Sequence, residues 1–254
     1  MACPGFAFVG VVDSVSFVAT TLTPHQRATR STVVTKAVMA ITGLILVGFL
    51  LAHMFGNFKM LLPDNGLEFN EYSHWLRQFG YPALPHGVFL WIFRIVLLAA
   101  VILHLYSAFK LKGRNDRSRG DSRYVSKKNM ESSYAARTMI WGGIIIVLFV
   151  IMHILQFTAQ VLKFGYPDGT NTLAPYDRVL AGFGEWWVVL MYAIAMIAVC
   201  LHISHGFYSA FATLGANTSL GARKVLKGLS MLVAGLLFVG FMLPPVLILI
   251  GVIP

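Results

Sequence analysis

Charged residues are scarce in this chain: Asp, Glu, Lys and Arg make up 12% of its 254 residues, while 57% are hydrophobic. A soluble domain is normally about one-quarter charged, so this composition excludes one. Cysteine is scarcer still. Cys3 and Cys200 stand on different elements with no metal-ligand spacing, which excludes a disulfide framework and a zinc site and leaves Cys200 as a packing residue. Also absent are a Rossmann fingerprint and a cluster of iron–sulfur cysteines. The chain has neither a nucleotide-binding module nor a soluble redox domain of its own.

What the chain has instead is long apolar runs. Five can each cross about 30 Å of hydrocarbon at about 1.5 Å per residue: 37–61, 87–109, 138–162, 186–211 and 228–250. The expected fold is all-α, an integral membrane bundle of five transmembrane helices. Residues 3–22 are fairly apolar, but Pro4, Asp13 and the lack of a basic leader argue against a signal peptide or a sixth span. They are expected to lie along the interface in an N-terminal segment, 1–34, ahead of a helical domain, 35–254.

A net charge of +10 raises the question of nucleic acid, which the placement of the charges answers in the negative. Fifteen of the 20 basic residues fall before the first span, between Lys110 and Arg137, or at Arg223, Lys224 and Lys227. The alternate loops hold Lys59, Arg77, Lys163 and Arg178 together with six of the ten acids. By the positive-inside rule the N-terminus is cytoplasmic and the C-terminus faces outward. The basic loop 110–137 suits either partner docking or topology and anionic lipid. Arg94 alone is left inside a span, where it needs an anionic partner, from a cofactor or a buried acid, or ordered water.

Histidine occurs in four of the five spans: His53, His104, His153, and His202 with His205. Counting along each span places His53 and His153 at one level, toward the outside, and His104 and His202 at another, toward the cytoplasm, about 12 to 18 Å apart. Any one of them can be a neutral histidine bonded to a neighbouring helix. Four at paired depths point to two b haems, each ligated by one imidazole from either side. Such a haem has no open axial position, so it carries electrons, and two in line join the two membrane faces. No residue of the chain is assigned a catalytic role.

With these residues in view, the chain resembles the cytochrome b anchor of the succinate dehydrogenase and fumarate reductase family, in its single-subunit, five-helix, di-haem form. The likeness spans about 35–245. It rests on Thr42-Gly43-Leu44 leading to Ala52-His53-Met54-Phe55-Gly56-Asn57, Arg94-Ile95-Val96-Leu97 leading to Leu103-His104, Tyr134 to Met139 leading to Phe149 and His153, and His202-Ile203-Ser204-His205-Gly206-Phe207-Tyr208-Ser209-Ala210-Phe211. The resemblance implies His53 with His153 on the distal haem and His104 with His202 on the proximal one, His205 being the rival in the fourth span. It further implies a flavoprotein and an iron–sulfur subunit on the cytoplasmic side of a bacterial inner membrane, and menaquinone as the quinone.

A quinone site needs an apolar slot and groups that exchange protons. The outer loop, 63–86, offers Glu68, Glu71, His74, Trp75 and Arg77, for which a solvated amphipathic loop helix is the more ordinary explanation. The other classes are a di-haem anchor of a hydrogenase or formate dehydrogenase, and a haem-free anchor or transporter.

Overall fold

A computed structural model describes residues 31–119 and 134–253. The interfacial placement of 1–30, with Cys3, and the central part of the basic loop fall outside the described residues. The chain from Thr32 onward forms one compact unit.

Five helices of this unit are long and apolar enough to cross a membrane, and no strand occurs among the described residues. They are α1 (Thr32–Asn57), α3 (Val88–Arg119), α4 (Tyr134–His153), α6 (Trp186–Thr213) and α7 (Leu220–Leu249). Two shorter helices, α2 (Leu67–Gln78) and α5 (Pro175–Phe183), lie in the connections 62–87 and 159–185. A 3-10 turn, Phe58–Leu61, extends α1, and a π-helical turn, Ile154–Thr158, extends α4.

The helices overrun the expected apolar spans wherever charge, not helix propensity, ends the hydrophobic run. α3 continues ten residues past Phe109, because Lys and Arg are good helix formers and Lys112 pairs with Asp116 one turn on at 2.6 Å. α7 begins at Leu220, where the Ser219 hydroxyl accepts the Ala222 backbone N–H at 3.0 Å. That cap satisfies one of the donors a helix start leaves open. The third span ends early, since the chain leaves helical geometry after Thr158 and Gln160 adopts φ +52°.

The core lies where α6, α7 and α1 meet. Val188 and Leu237 are fully buried there, with Met54, Tyr192, Met196, Val199 and Ala234 around them. Close approach is needed, because lipid tails are as apolar as leucine and packing rather than water exclusion holds such helices together. Gly240 of α7 supplies it: a Cβ there would overlap Sδ of Met54. Pro244 and Pro245 follow within α7; lacking N–H groups, they leave the carbonyls of Gly240 and Phe241 without their usual helix partners.

α3 and α4 are the peripheral spans. Among the described residues of α3 only Ala100 and Ser107 are buried, and in α4 none is. α3 packs on α1, and α4 packs on α6. α1 does not pack extensively on α4, nor α3 on α6, so side chains must bridge those gaps.

Candidate haem-ligand sites

The bridging side chains are the histidines. His53 of α1 and His153 of α4 meet with ring centroids 5.9 Å apart and planes at 88°. His104 of α3 and His202 of α6 meet at 6.1 Å and 61°. His205, one turn beyond His202, instead lines a shallow groove of about 420 Å³ with Val33, Lys36, Tyr208 and Ser209.

The vertical spacing of the pairs can be measured on two helices. On α6, Tyr192 touches His153 and His202 follows ten residues later, about 15 Å along the axis. On α1, Thr42 and Gly43 touch His104 and His53 again follows about ten residues, or about 15 Å, later.

The surroundings of each ring decide which nitrogen is available. His104 Nδ1 lies 3.1 Å from the Met39 carbonyl and 3.4 Å from the Thr42 hydroxyl. A carbonyl can only accept, so Nδ1 carries the proton and Nε2 keeps its lone pair. The Thr42 proton is committed to the Val38 carbonyl at 2.7 Å. His153 Nδ1 lies 3.1 Å from the Tyr192 hydroxyl, which donates to Oε1 of the fully buried Gln156 at 2.9 Å. His53 is flanked by Phe49 at 5.4 Å and Phe241 at 5.7 Å. Nδ1 of His202 is buried without a hydrogen bond of ordinary geometry, with the Met139 backbone in electrostatic reach.

These features fit a haem better than a bare metal ion. No three His, Cys, Asp or Glu side chains gather among the described residues, so a protein-only metal centre lacks donors. A haem iron brings four equatorial nitrogens and asks the protein for two. Imidazoles on opposite sides of one metal, at bonds of about 2 Å, have centroids about 6 Å apart, which both pairs match. Ligating histidines characteristically donate their second N–H to a carbonyl or other acceptor; His104 does so. Gly43 and Gly143 stand beside the His104 and His202 rings, where Cβ atoms would come within 3.2 and 3.8 Å of Cε1.

The connection 62–87 is organised on the far side of the His53 level. Asp64 caps α2, accepting the Gly66 and Glu68 backbone N–H groups at 3.0 and 2.8 Å. Gly66 needs to be glycine, since φ is +80° and a Cβ would overlap the Tyr176 ring. The Tyr176 N–H donates to Asn70 Oδ1 at 3.1 Å and ties α5 to α2. Burial first, and the Asp64 and Asp177 carboxylates second, push the Tyr176 phenol above its ordinary range and keep it neutral. Arg178 of α5 donates to the Phe157 carbonyl at 2.6 Å, and burial lowers its guanidinium from the ordinary value.

The five candidate quinone residues all lie on α2 or at its end, and all are exposed. Glu68 pairs with Lys59 at 2.9 Å. Trp75 stacks on Tyr72 at 5.9 Å and meets Phe79 edge-on at 5.1 Å. Glu71, His74 and Arg77 share an adjoining helix face, at steps of three residues. The helix docks close to the upper histidine pair, because Tyr72 lies against Gly56, three residues beyond His53. Arg94 is exposed on α3 with its guanidinium over the Trp91 ring at 5.1 Å, a partner not anticipated from sequence. Tyr192 and Gln156 were not anticipated either; a buried glutamine three residues after a histidine is the signal that marks them. Comparison with protein-family models, curated proteins and solved structures returned no match.

Proposed function

We propose that the chain is the membrane anchor of a succinate:quinone oxidoreductase, passing electrons between an iron–sulfur subunit and membrane quinone through two bis-histidine b haems. The observation that carries this is the pairing of four intramembrane histidines into two bridges, 5.9 and 6.1 Å between rings, about 15 Å apart in depth. Intramembrane polar side chains are costly and mark functional sites or partner contacts. When bound, each haem would supply a one-electron carrier.

The chain's own residues hold and shape the two sites. His53 and His153 offer imidazole nitrogens across the gap between α1 and α4, and His104 and His202 across the gap between α3 and α6. The Met39 carbonyl fixes the His104 ring. Phe49, Phe241 and Phe149 surround the upper pair and keep water from it. The flavoprotein and iron–sulfur subunits dock at the basic, cytoplasmic end, and menaquinone reacts at the opposite end, beside the His53 and His153 level. Glu71, near the Tyr72–Gly56 contact, exchanges protons there. A two-haem ladder would be superfluous if quinone bound next to the iron–sulfur subunit.

The test is co-purification on a tagged chain from the native bacterial inner membrane. A flavoprotein and an iron–sulfur protein should come with it, and succinate should reduce the haem absorption. Reduction by hydrogen or formate, with succinate inert, would transfer the chain to the hydrogenase or formate dehydrogenase class.

A further inference from the structure

Beyond the histidines, the most fully built polar feature in the membrane region is the run from His153 through Tyr192 to Gln156. We infer that Tyr192 and Gln156 are positioning residues that lock His153 in the tautomer with its proton on Nδ1, leaving Nε2 open to the metal; this rests on the haem reading above.

The position of one proton decides the tautomer. Tyr192 has a single phenolic hydrogen and two polar neighbours, Gln156 Oε1 at 2.9 Å and His153 Nδ1 at 3.1 Å. An amide oxygen only accepts, so the phenol proton is spent on Gln156. The phenol's lone pair then faces Nδ1, which must supply the hydrogen of that bond. With the amide reversed, Gln156 would donate to the phenol, the phenol proton would point at Nδ1, and the imidazole proton would move to Nε2. That arrangement closes the nitrogen a metal needs. The direction of one glutamine amide therefore decides whether His153 can ligate.

The local fold confines that glutamine, whose Oε1 faces Tyr192 and whose Nε2 is buried without a hydrogen-bond partner. Gln156 sits in the π-helical turn Ile154–Thr158 that follows His153 directly, and such turns are frequent at functional sites. Its side chain is 2% exposed. Gly182 of α5 leaves it room, since a Cβ there would stand 2.7 Å from the amide nitrogen. Arg178, one turn earlier on α5, clamps the same turn through the Phe157 carbonyl at 2.6 Å. Tyr192 is 6% exposed, boxed by Phe149, Phe157 and Phe183 with centroids 4.8 to 6.1 Å away. For His104 of the other pair a backbone carbonyl, Met39, serves the same end, and no side-chain substitution removes it.

The test is nitrogen-15 NMR of histidine in the full chain in nanodiscs before haem is supplied, with the His153 signal assigned by its loss in His153→Asn. The expected wild-type spectrum shows a protonated Nδ1 and a bare Nε2. Gln156→Leu frees the phenol proton for Nδ1 and should move the imidazole proton to Nε2, whereas Gln156→Glu keeps an acceptor and should leave it on Nδ1. After haem loading, Tyr192→Phe should weaken retention of one haem by about 10- to 100-fold, move that haem's midpoint potential and leave the other unchanged. A wild-type Nε2 proton, or a Gln156→Leu spectrum identical to wild type, overturns the inference. Because the spectrum needs no haem, a chain that takes up none defeats the proposed function separately.

Discussion

Single side chains carry most of the functional account, and they can be removed one at a time. Replacing His53 or His153 by alanine should delete the same one of two haem spectral components, and replacing His104 or His202 should delete the other. His205→Ala should keep both, since His205 faces the Lys36 groove. Loss of both components from every variant, or a different component from each member of a pair, contradicts the pairing. Glu71→Gln should abolish quinone-linked turnover while haem spectra and dye-linked succinate oxidation stay intact; a turnover assay at the wild-type rate removes Glu71 from the mechanism. The pairs were legible in the sequence because depth in a membrane helix is a count of residues, whereas facing is not. Sequence alone left His202 and His205 as rivals one turn apart, and only tertiary packing turns His202 toward His104. Tyr192 and Gln156 were hidden for the same reason: they lie 36 positions apart and meet only through α4 packing on α6.

At the scale of elements, the five spans were readable from hydropathy because the bilayer sets a minimum length for each. Their ends were less so. The apolar run of α3 stops at Phe109 and that of α7 starts at Gly228, but the basic residues beyond each limit are helix formers, so both helices extend past them. α5 was not legible at all, because its Pro175 start and nine-residue length resemble a turn-rich loop. The α1–α7 contact gives a prediction. Gly240→Ala places a methyl into Met54 and should cost about 1–3 kcal/mol as overpacking, read as a lower melting temperature in detergent. Gly235→Ala, with nothing within 4 Å of its Cβ, should be neutral or stabilising by up to about 1 kcal/mol. Equal effects at both positions would mean that α7 does not approach α1 at Gly240.

For the whole molecule, an odd number of spans brings the chain into the bundle at one membrane face and out at the other, and the charge asymmetry is the basis for proposing which face is cytoplasmic. Fifteen basic residues lie in the segments at one face, against four in the loops at the other, so the proposed orientation has the 110–137 loop in the cytoplasm. A cysteine at Ser118 should therefore react with an impermeant maleimide only after permeabilisation, and one at Asn171 should react in intact cells; both side chains are exposed. The reverse pattern would exchange the faces at which the proposed protein partners and quinone engage. The peripheral, thinly buried α3 and α4 belong to the same picture, because each packs closely on one neighbour, α1 or α6, and meets the other across a gap bridged by its histidine. Sequence could place these helices in the membrane but not show the gaps, which depend on which helices pack together.

If the two histidine-bridged gaps hold a haem each, a pyridine haemochrome assay on the purified chain, normalised to protein by amino-acid analysis, will return two b haems per chain, both low-spin in the visible spectrum before pyridine is added. One haem would mean that one histidine pair is structural, and none would contradict the proposed function.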